Sequence, residues 1–231
     1  MPVLRLEILR RRSAEDAPYL QCFDYEPRSG AETVATALTR LNETLPEPIR
    51  WECSCLQKKC GACAMVVDGR PALACDARLK GKKNTVRIEP LRKFPVVADL
   101  IVDRSALFEA LRALRLWFEA DAAKEETASE TGYEASRCLQ CGCCLEVCPN
   151  YAPGGVFAGM AAAVPAARLL AACSPAELTA LSEAYNRRFY AGCGKSLACR
   201  NVCPAGIDVE RLLVNSNAIA VWKRLLRRKR R

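Results

Sequence analysis

Cys138-Leu139-Gln140-Cys141-Gly142-Cys143-Cys144-Leu145-Glu146-Val147-Cys148-Pro149 is the stretch that decides the fold. Cys138, Cys141, Cys144 and Cys148 are separated by two, two and three residues, and a proline follows the last of them. This is a run by which thiolates hold a cubane of four irons and four sulfurs; where two such runs occur, the fourth cysteine of each ligates the other cluster. A partner run is therefore expected. It is Cys193-Gly194-Lys195-Ser196-Leu197-Ala198-Cys199-Arg200-Asn201-Val202-Cys203-Pro204, the same run with Ser196 at the second cysteine position.

Crossing the fourth ligands gives two sets. Cys138, Cys141, Cys144 and Cys203 form a complete 4Fe-4S site, and Cys148, Cys193 and Cys199 form a site with only three thiolates. A cubane held by three thiolates tends to lose the unligated iron, so a 3Fe-4S cluster is its natural occupant. Ser196 could supply an alkoxide to a fourth iron, or simply fill the vacated corner.

A third constellation lies upstream: Cys55, Cys60, Cys63 and Cys75, with four, two and eleven residues between successive members. The first three match the plant-type 2Fe-2S spacing. Four thiolates can also hold zinc, but the surrounding sequence reads as a sheet. Val3 to Arg10 and Pro18 to Tyr25 alternate apolar and polar residues like half-buried strands, Val34, Leu38 and Leu41 recur at helical spacing, and Val86 and Ile88 mark a further strand. Ala64 to Val67 and Ala72 to Ala74 flank Asp68-Gly69, a hairpin turn signal. Gly61, Ala62 and Ala64 are small enough to let backbone N–H groups approach the sulfurs.

From about residue 100 the pattern becomes helical. Leu107, Leu111, Leu114 and Phe118 share one face, and Pro153 to Leu170, Pro175 to Arg187 and Asp208 to Leu226 carry helical periodicity. The expected division is thus a sheet domain over 1–100 and an all-helical domain over 101–231.

Composition narrows the chemistry. Fifteen cysteines in short runs suit metal sites in a reducing compartment rather than a disulfide framework. The chain has no histidine, which excludes a Rieske centre, a His-ligated haem and Ser/His or Cys/His catalysis. The N-terminus does not read as a signal peptide. Val156 to Cys173 is apolar but broken by Pro165 and Arg168, so a buried helix is expected rather than a membrane span. Of the net charge of +9, much falls in the last nine residues, on Lys223, Arg224, Arg227, Arg228, Lys229, Arg230 and Arg231. Such a tail suits anionic lipid or an acidic partner, or is a solvated terminus; no nucleic-acid recognition motif accompanies it. Cys22, Cys53, Cys143 and Cys173 are assigned no ligand role, since free cysteine most often acts as a small hydrophobe.

The three sites in this order, the linker from Pro90 to Asp103 and the two Cys-Pro runs resemble the iron-sulfur subunit of succinate dehydrogenase and fumarate reductase. The resemblance covers nearly the whole chain. It implies an α+β chain: an N-terminal β-grasp, plant-type ferredoxin domain with the 2Fe-2S cluster, then an α-helical ferredoxin domain with the 4Fe-4S and 3Fe-4S clusters. It further implies electron transfer between FAD in a flavoprotein subunit and quinone at a membrane anchor subunit, with the chain peripheral on the cytoplasmic face of the cell membrane. No Gly-x-Gly-x-x-Gly fingerprint is present, so flavin and dicarboxylate belong to another chain. A soluble fumarate reductase, another flavin dehydrogenase or a free polyferredoxin-like carrier are the alternatives. Many relatives have tryptophan and histidine where this sequence has Pro153 and Gly194, which leaves Pro149, Asn150, Tyr151 and Lys195 as candidate quinone contacts. Lys58 and Lys59, in the first cysteine loop, are expected to favour the reduced cluster and raise its potential.

Overall fold

A computed structural model describes residues 2–82, 84–117, 129–173 and 175–222. The chain divides into two compact units, one of Met1–Arg104 with Cys141–Glu146, the other of Ser105–Gln140 with Val147–Arg231.

The first unit is built on a five-stranded mixed sheet. Its strands are β1 (Leu4–Arg10), β2 (Tyr19–Tyr25), β3 (Ala64–Val67), β4 (Arg70–Leu73) and β5 (Thr85–Glu89), in the order β2-β1-β5-β3-β4. β1 is antiparallel to β2 and parallel to β5. Helix α1 (Val34–Asn42) makes the crossover, and the hydroxyls of Thr33 and Thr36 form a reciprocal capping box that fixes its start. Alternation sets the core, since Leu4, Leu6 and Ile8 of β1 face inward and are at most 3% exposed. Arg10 continues that inward face and is also buried. It survives there because every N–H finds an acceptor. Nε and Nη2 donate to Asp99 at 3.2 and 3.0 Å, Nη1 to Gln21 at 2.8 Å, and the carbonyls of Glu47 and Pro48 take the rest. Asp99 in turn accepts the backbone N–H groups of Arg11 and Arg50 at 3.0 and 2.9 Å.

Two features of this unit lie beyond the sequence reading. Within the linker from Pro90 to Asp103, β6 (Val96–Ala98) and β7 (Ile101–Val102) pair across a turn in which Asp99 has φ +44°. Strands of three and two residues give too short an alternation to read. The unit also extends to Arg104 and takes in residues 141–146, which include the short helix α4 (Cys143–Glu146). Gly142, at φ +87°, explains the seat: a Cβ there would lie 3.1 Å from the Phe94 ring, so only glycine lets the cysteine run close on Phe94 and Leu91. Glu146 accepts the Lys93 N–H at 3.1 Å.

The second unit is helical: α2 (Ser105–Ala113), α3 (Glu130–Ser136), α5 (Met160–Ala172), α6 (Pro175–Tyr185) and α7 (Val209–Asn217). α6 runs into a π turn at Asn186–Tyr190, α7 into another at Ala218–Trp222. α5 begins seven residues later than expected from Pro153, because Gly154 and Gly159 hold left-handed φ values of +74° and +70°. It is the buried core of the unit, with Met160 to Val164, Ala166 and Ala167 all at most 5% exposed. Among the described residues no helix is long and apolar enough to cross a membrane. Phe118, Leu225, Leu226 and the basic tail lie outside the described residues.

Candidate iron-sulfur sites

None of the fifteen cysteines is in a disulfide. In the first constellation the loop before β3 folds around its own sulfurs. Leu56, Lys58 and Gly61 take left-handed φ values of +52°, +59° and +75°, and the turns they make aim backbone N–H groups inward. Gln57 and Lys59 both donate to Cys55 Sγ at 3.3 Å, and Lys58 donates to Cys75 Sγ at 3.3 Å. Cys63 and Cys75 are held across the hairpin by the Ala74 N–H on the Cys63 carbonyl at 2.9 Å, which brings their sulfurs to 3.5 Å. The N–H groups of Gln57 and Lys59, with a hydrogen bond from Cys60, lower the Cys55 thiol to about 7. Burial pushes the Cys63 thiol up to about 11. A thiolate at Cys63 thus needs a bound cation to exist at neutral pH, as a metal-coordinating thiol has. Arg104 braces the loop by donating to Glu52 at 2.6 Å and to the Ala62 carbonyl at 3.0 Å. Lys58 is not a free positive charge, because Asp76 stands 2.8 Å from its ammonium.

Of the second set, Cys141 and Cys144 belong to the first unit and Cys138 and Cys203 to the second. In the first unit, Cys141 is buried beside Cys143, which is fully buried. A hydrogen bond from the Cys143 thiol, against opposing burial and with further help from backbone N–H groups and the charge of Arg104, lowers Cys141 to about 7. Sequence reasoning gave Cys143 no part here, and the Cys143-Cys144 doublet was the only signal of one. In the second unit, Gln140 donates to Cys138 Sγ at 3.2 Å and to the Ala161 carbonyl at 3.1 Å. That carbonyl is available because Pro165, four residues on, has no N–H to give it. The helix breaker inside an apolar stretch therefore makes an anchor for the cysteine run. Arg137, next to Cys138, donates to the carbonyl of Ala205, two residues past Cys203. Glu134 accepts from Arg137 at 3.1 Å and from the Asp208 N–H at 2.9 Å, which ties α3 to the same segment.

The third set comes together within one unit. Cys148, Cys193 and Cys199 line a single small cavity of about 20 Å3, with Ser196 in its wall. Burial raises the Cys199 thiol, and the charges of Cys148, Cys193 and Cys203 push the same way. Lys195 and Leu197 sit at left-handed φ values of +55° and +56° on either side of Ser196. Asn150 donates to the Gly192 carbonyl at 2.6 Å, and a Cβ at Gly194 would meet the Asn150 amide at 2.9 Å. Asn150 thus fills the space that a side chain at position 194 would claim. Of the candidate quinone contacts, Pro149, Asn150 and Lys195 are exposed, whereas Tyr151 is only 5% exposed and faces a different cavity.

The donor sets suit iron-sulfur clusters. All are sulfur, and in the first set backbone N–H groups point at Cys55 and Cys75. Outside the three sets, Cys22 is exposed and accepts from Arg5 at 3.4 Å, Cys53 is exposed, and Cys173 is half-buried with its thiol raised by burial.

Comparison with known proteins agrees with this arrangement. A 2Fe-2S iron-sulfur cluster binding domain matches residues 5–109, and a 4Fe-4S dicluster domain matches residues 134–207. A chain of the Mycobacterium smegmatis Sdh1 complex in its apo form has the same fold, with a TM-score of 0.73 over 94% of this chain and 95% of that one, at 23% identity. Two ferredoxin-type cysteine units, one in a mixed sheet and one among helices, define an iron-sulfur electron-transfer protein. Its sequence is 30% identical over 223 residues to the succinate dehydrogenase iron-sulfur subunit of Bacillus subtilis, covering 89% of this chain and 88% of the relative. It is 32% identical over 187 residues to the fumarate reductase iron-sulfur subunit of Haemophilus influenzae, covering 72% and 73%. The chain belongs to the family of succinate dehydrogenase and fumarate reductase iron-sulfur subunits, and is thus part of an oxidoreductase complex.

Proposed function

We propose that the chain passes electrons between FAD of a flavoprotein subunit and quinone at a membrane anchor subunit, from a peripheral position on the cytoplasmic face of the cell membrane. Cys55, Cys60, Cys63 and Cys75 hold 2Fe-2S; Cys138, Cys141, Cys144 and Cys203 hold 4Fe-4S; Cys148, Cys193 and Cys199 hold 3Fe-4S. The observation that carries the reading is the cavity lined by three thiols with serine where a fourth would stand.

One-electron uptake and release is the chemistry the bound clusters supply; the chain's part is to hold them and set their surroundings. N–H groups of Gln57, Lys58 and Lys59 stabilise negative charge on sulfur and so raise the potential. Asp76 offsets the Lys58 charge, so Lys59 is left as the net positive contribution of that loop. At the other end Pro149, Asn150 and Lys195 form the surface offered to quinone.

EPR on the purified complex tests this. An oxidised three-iron signal, a reduced two-iron signal and co-purification of a flavoprotein are expected. A chain isolated with zinc, or with one cubane alone, would overturn the ligand assignment. Lys195→Ala leaving quinone reduction unchanged would count against the quinone surface.

A further inference from the structure

Within the second unit, α2, the loop 151–158 and Arg188 enclose a cavity of about 530 Å3 that no cysteine lines. Its wall is basic. Arg188 sits in the π turn after α6, where its carbonyl is fixed by the Ala158 N–H at 2.8 Å. Its Nε is closed off from solvent and has no hydrogen-bond partner among the described residues. Arg112 adds a second guanidinium, and the nearest acidic oxygen to it, on Glu109, is 3.9 Å away. A buried donor without an acceptor is costly, and the planar fork of arginine fits the oxygens of a phosphate better than any single-point acceptor. Ser105 and Ala106 bring the first turn of α2 to the same wall, where the helix dipole also favours an anion. Glu109 is the one carboxylate in the lining, set against two guanidiniums.

We propose that this cavity binds a phosphate-type anion, and that the phosphate is the headgroup of an anionic lipid. The volume is several times what inorganic phosphate needs. Val156, on the rim, is 63% exposed, and Phe108 on α2 is 56% exposed, so large apolar side chains stand in water beside a basic pocket. That pairing of a cationic pocket with apolar surface is how proteins take a lipid headgroup while leaving its chains to a bilayer.

The test uses the full chain with its clusters in place and reads binding by calorimetry. The probes are dihexanoyl phosphatidylglycerol below its micelle concentration and, separately, inorganic phosphate. Saturable binding of the lipid is expected, weakened about tenfold or more in Arg188→Gln and in Arg112→Gln, as loss of a charge-assisted hydrogen bond predicts. Cluster EPR and the thermal melt should not move, which separates this site from the cluster ligands proposed above. If Arg188→Gln fails to fold, Arg112→Gln carries the test, since the Arg112 side chain is 78% exposed. Competition by inorganic phosphate supports the shared phosphate chemistry. Phosphate binding as tightly as the lipid overturns the lipid assignment. No saturable binding of either probe, or variants that bind like the parent, overturns the site.

Discussion

The cysteine loop of the sheet unit and the cysteine cavity of the helical unit gather thiols in opposite ways. The loop uses backbone: left-handed turns at Leu56, Lys58 and Gly61 bring N–H groups onto Cys55 and Cys75. The cavity uses side chains and distance in sequence, since Cys148 and Cys199 lie far apart in the chain and share its wall with Phe157, Met160, Phe189 and Leu213. A backbone cage depends on conformation at a few residues; a side-chain cavity depends on its packing. The two should therefore fail differently.

The largest effect comes from removing a thiolate. Cys60→Ser should abolish the reduced two-iron EPR signal and leave the oxidised three-iron signal, and Cys148→Ser should do the reverse. Loss of both signals from either change would show that the two regions do not assemble independently.

Next in size is the clamp beneath the sheet unit. Asp99→Ala leaves the Arg10 charge buried and unpaired, and should destabilise that unit by about 3–5 kcal/mol in urea unfolding. The pH dependence has a definite sign. Burial acts to raise the Asp99 carboxyl, but hydrogen bonds from Arg10, Arg50 and Arg11 outweigh it and hold it below its ordinary value. Its stabilisation is accordingly present above the ordinary carboxylate pKa, near 4, and is lost as pH falls through the lower folded value. The parent should lose stability more steeply than Asp99→Ala in acid unfolding below about pH 4.

A smaller effect sharpens the role of Gln140. Gln140→Leu leaves the Ala161 carbonyl without its donor and takes an N–H from Cys138, so about 1–3 kcal/mol of stability should go. The four-iron potential should fall with it, because a hydrogen bond to sulfur favours the reduced state. Pro165→Ala supplies a helical N–H for the same carbonyl, and a redox titration in that background should also show a lowered potential.

These residues also mark what could be read beforehand. The cysteine spacings, β1, β2 and the Asp68-Gly69 hairpin were legible because ligand spacing and alternation are local patterns. Gln140 was not, for its role depends on a carbonyl freed by Pro165, and a proline in an apolar run reads only as a helix breaker. Nor was the Arg10–Asp99 pair, which joins residues 89 apart and places charge where alternation calls for an apolar side chain. The seat of 141–146 in the sheet unit was hidden for a related reason: Gly142 signals a turn, but not that Phe94 fills the space beside it.

The smallest effect is the most selective. Lys195 is exposed beside Ser196 in the lining of the three-thiol cavity, with its ammonium 5.2 Å from the Tyr190 ring. A cation there favours the reduced state of whatever the thiols hold, so Lys195→Met should lower the three-iron potential by on the order of 30 mV, as expected for one exposed charge. The two-iron potential should not change, and raising the salt should shrink the difference, because the charge stands in solvent. The matching change in the backbone cage is Lys59→Met, which should lower only the two-iron potential. A shift that persists at high salt would place the Lys195 effect in packing rather than charge, and would make the cavity as dependent on local conformation as the loop.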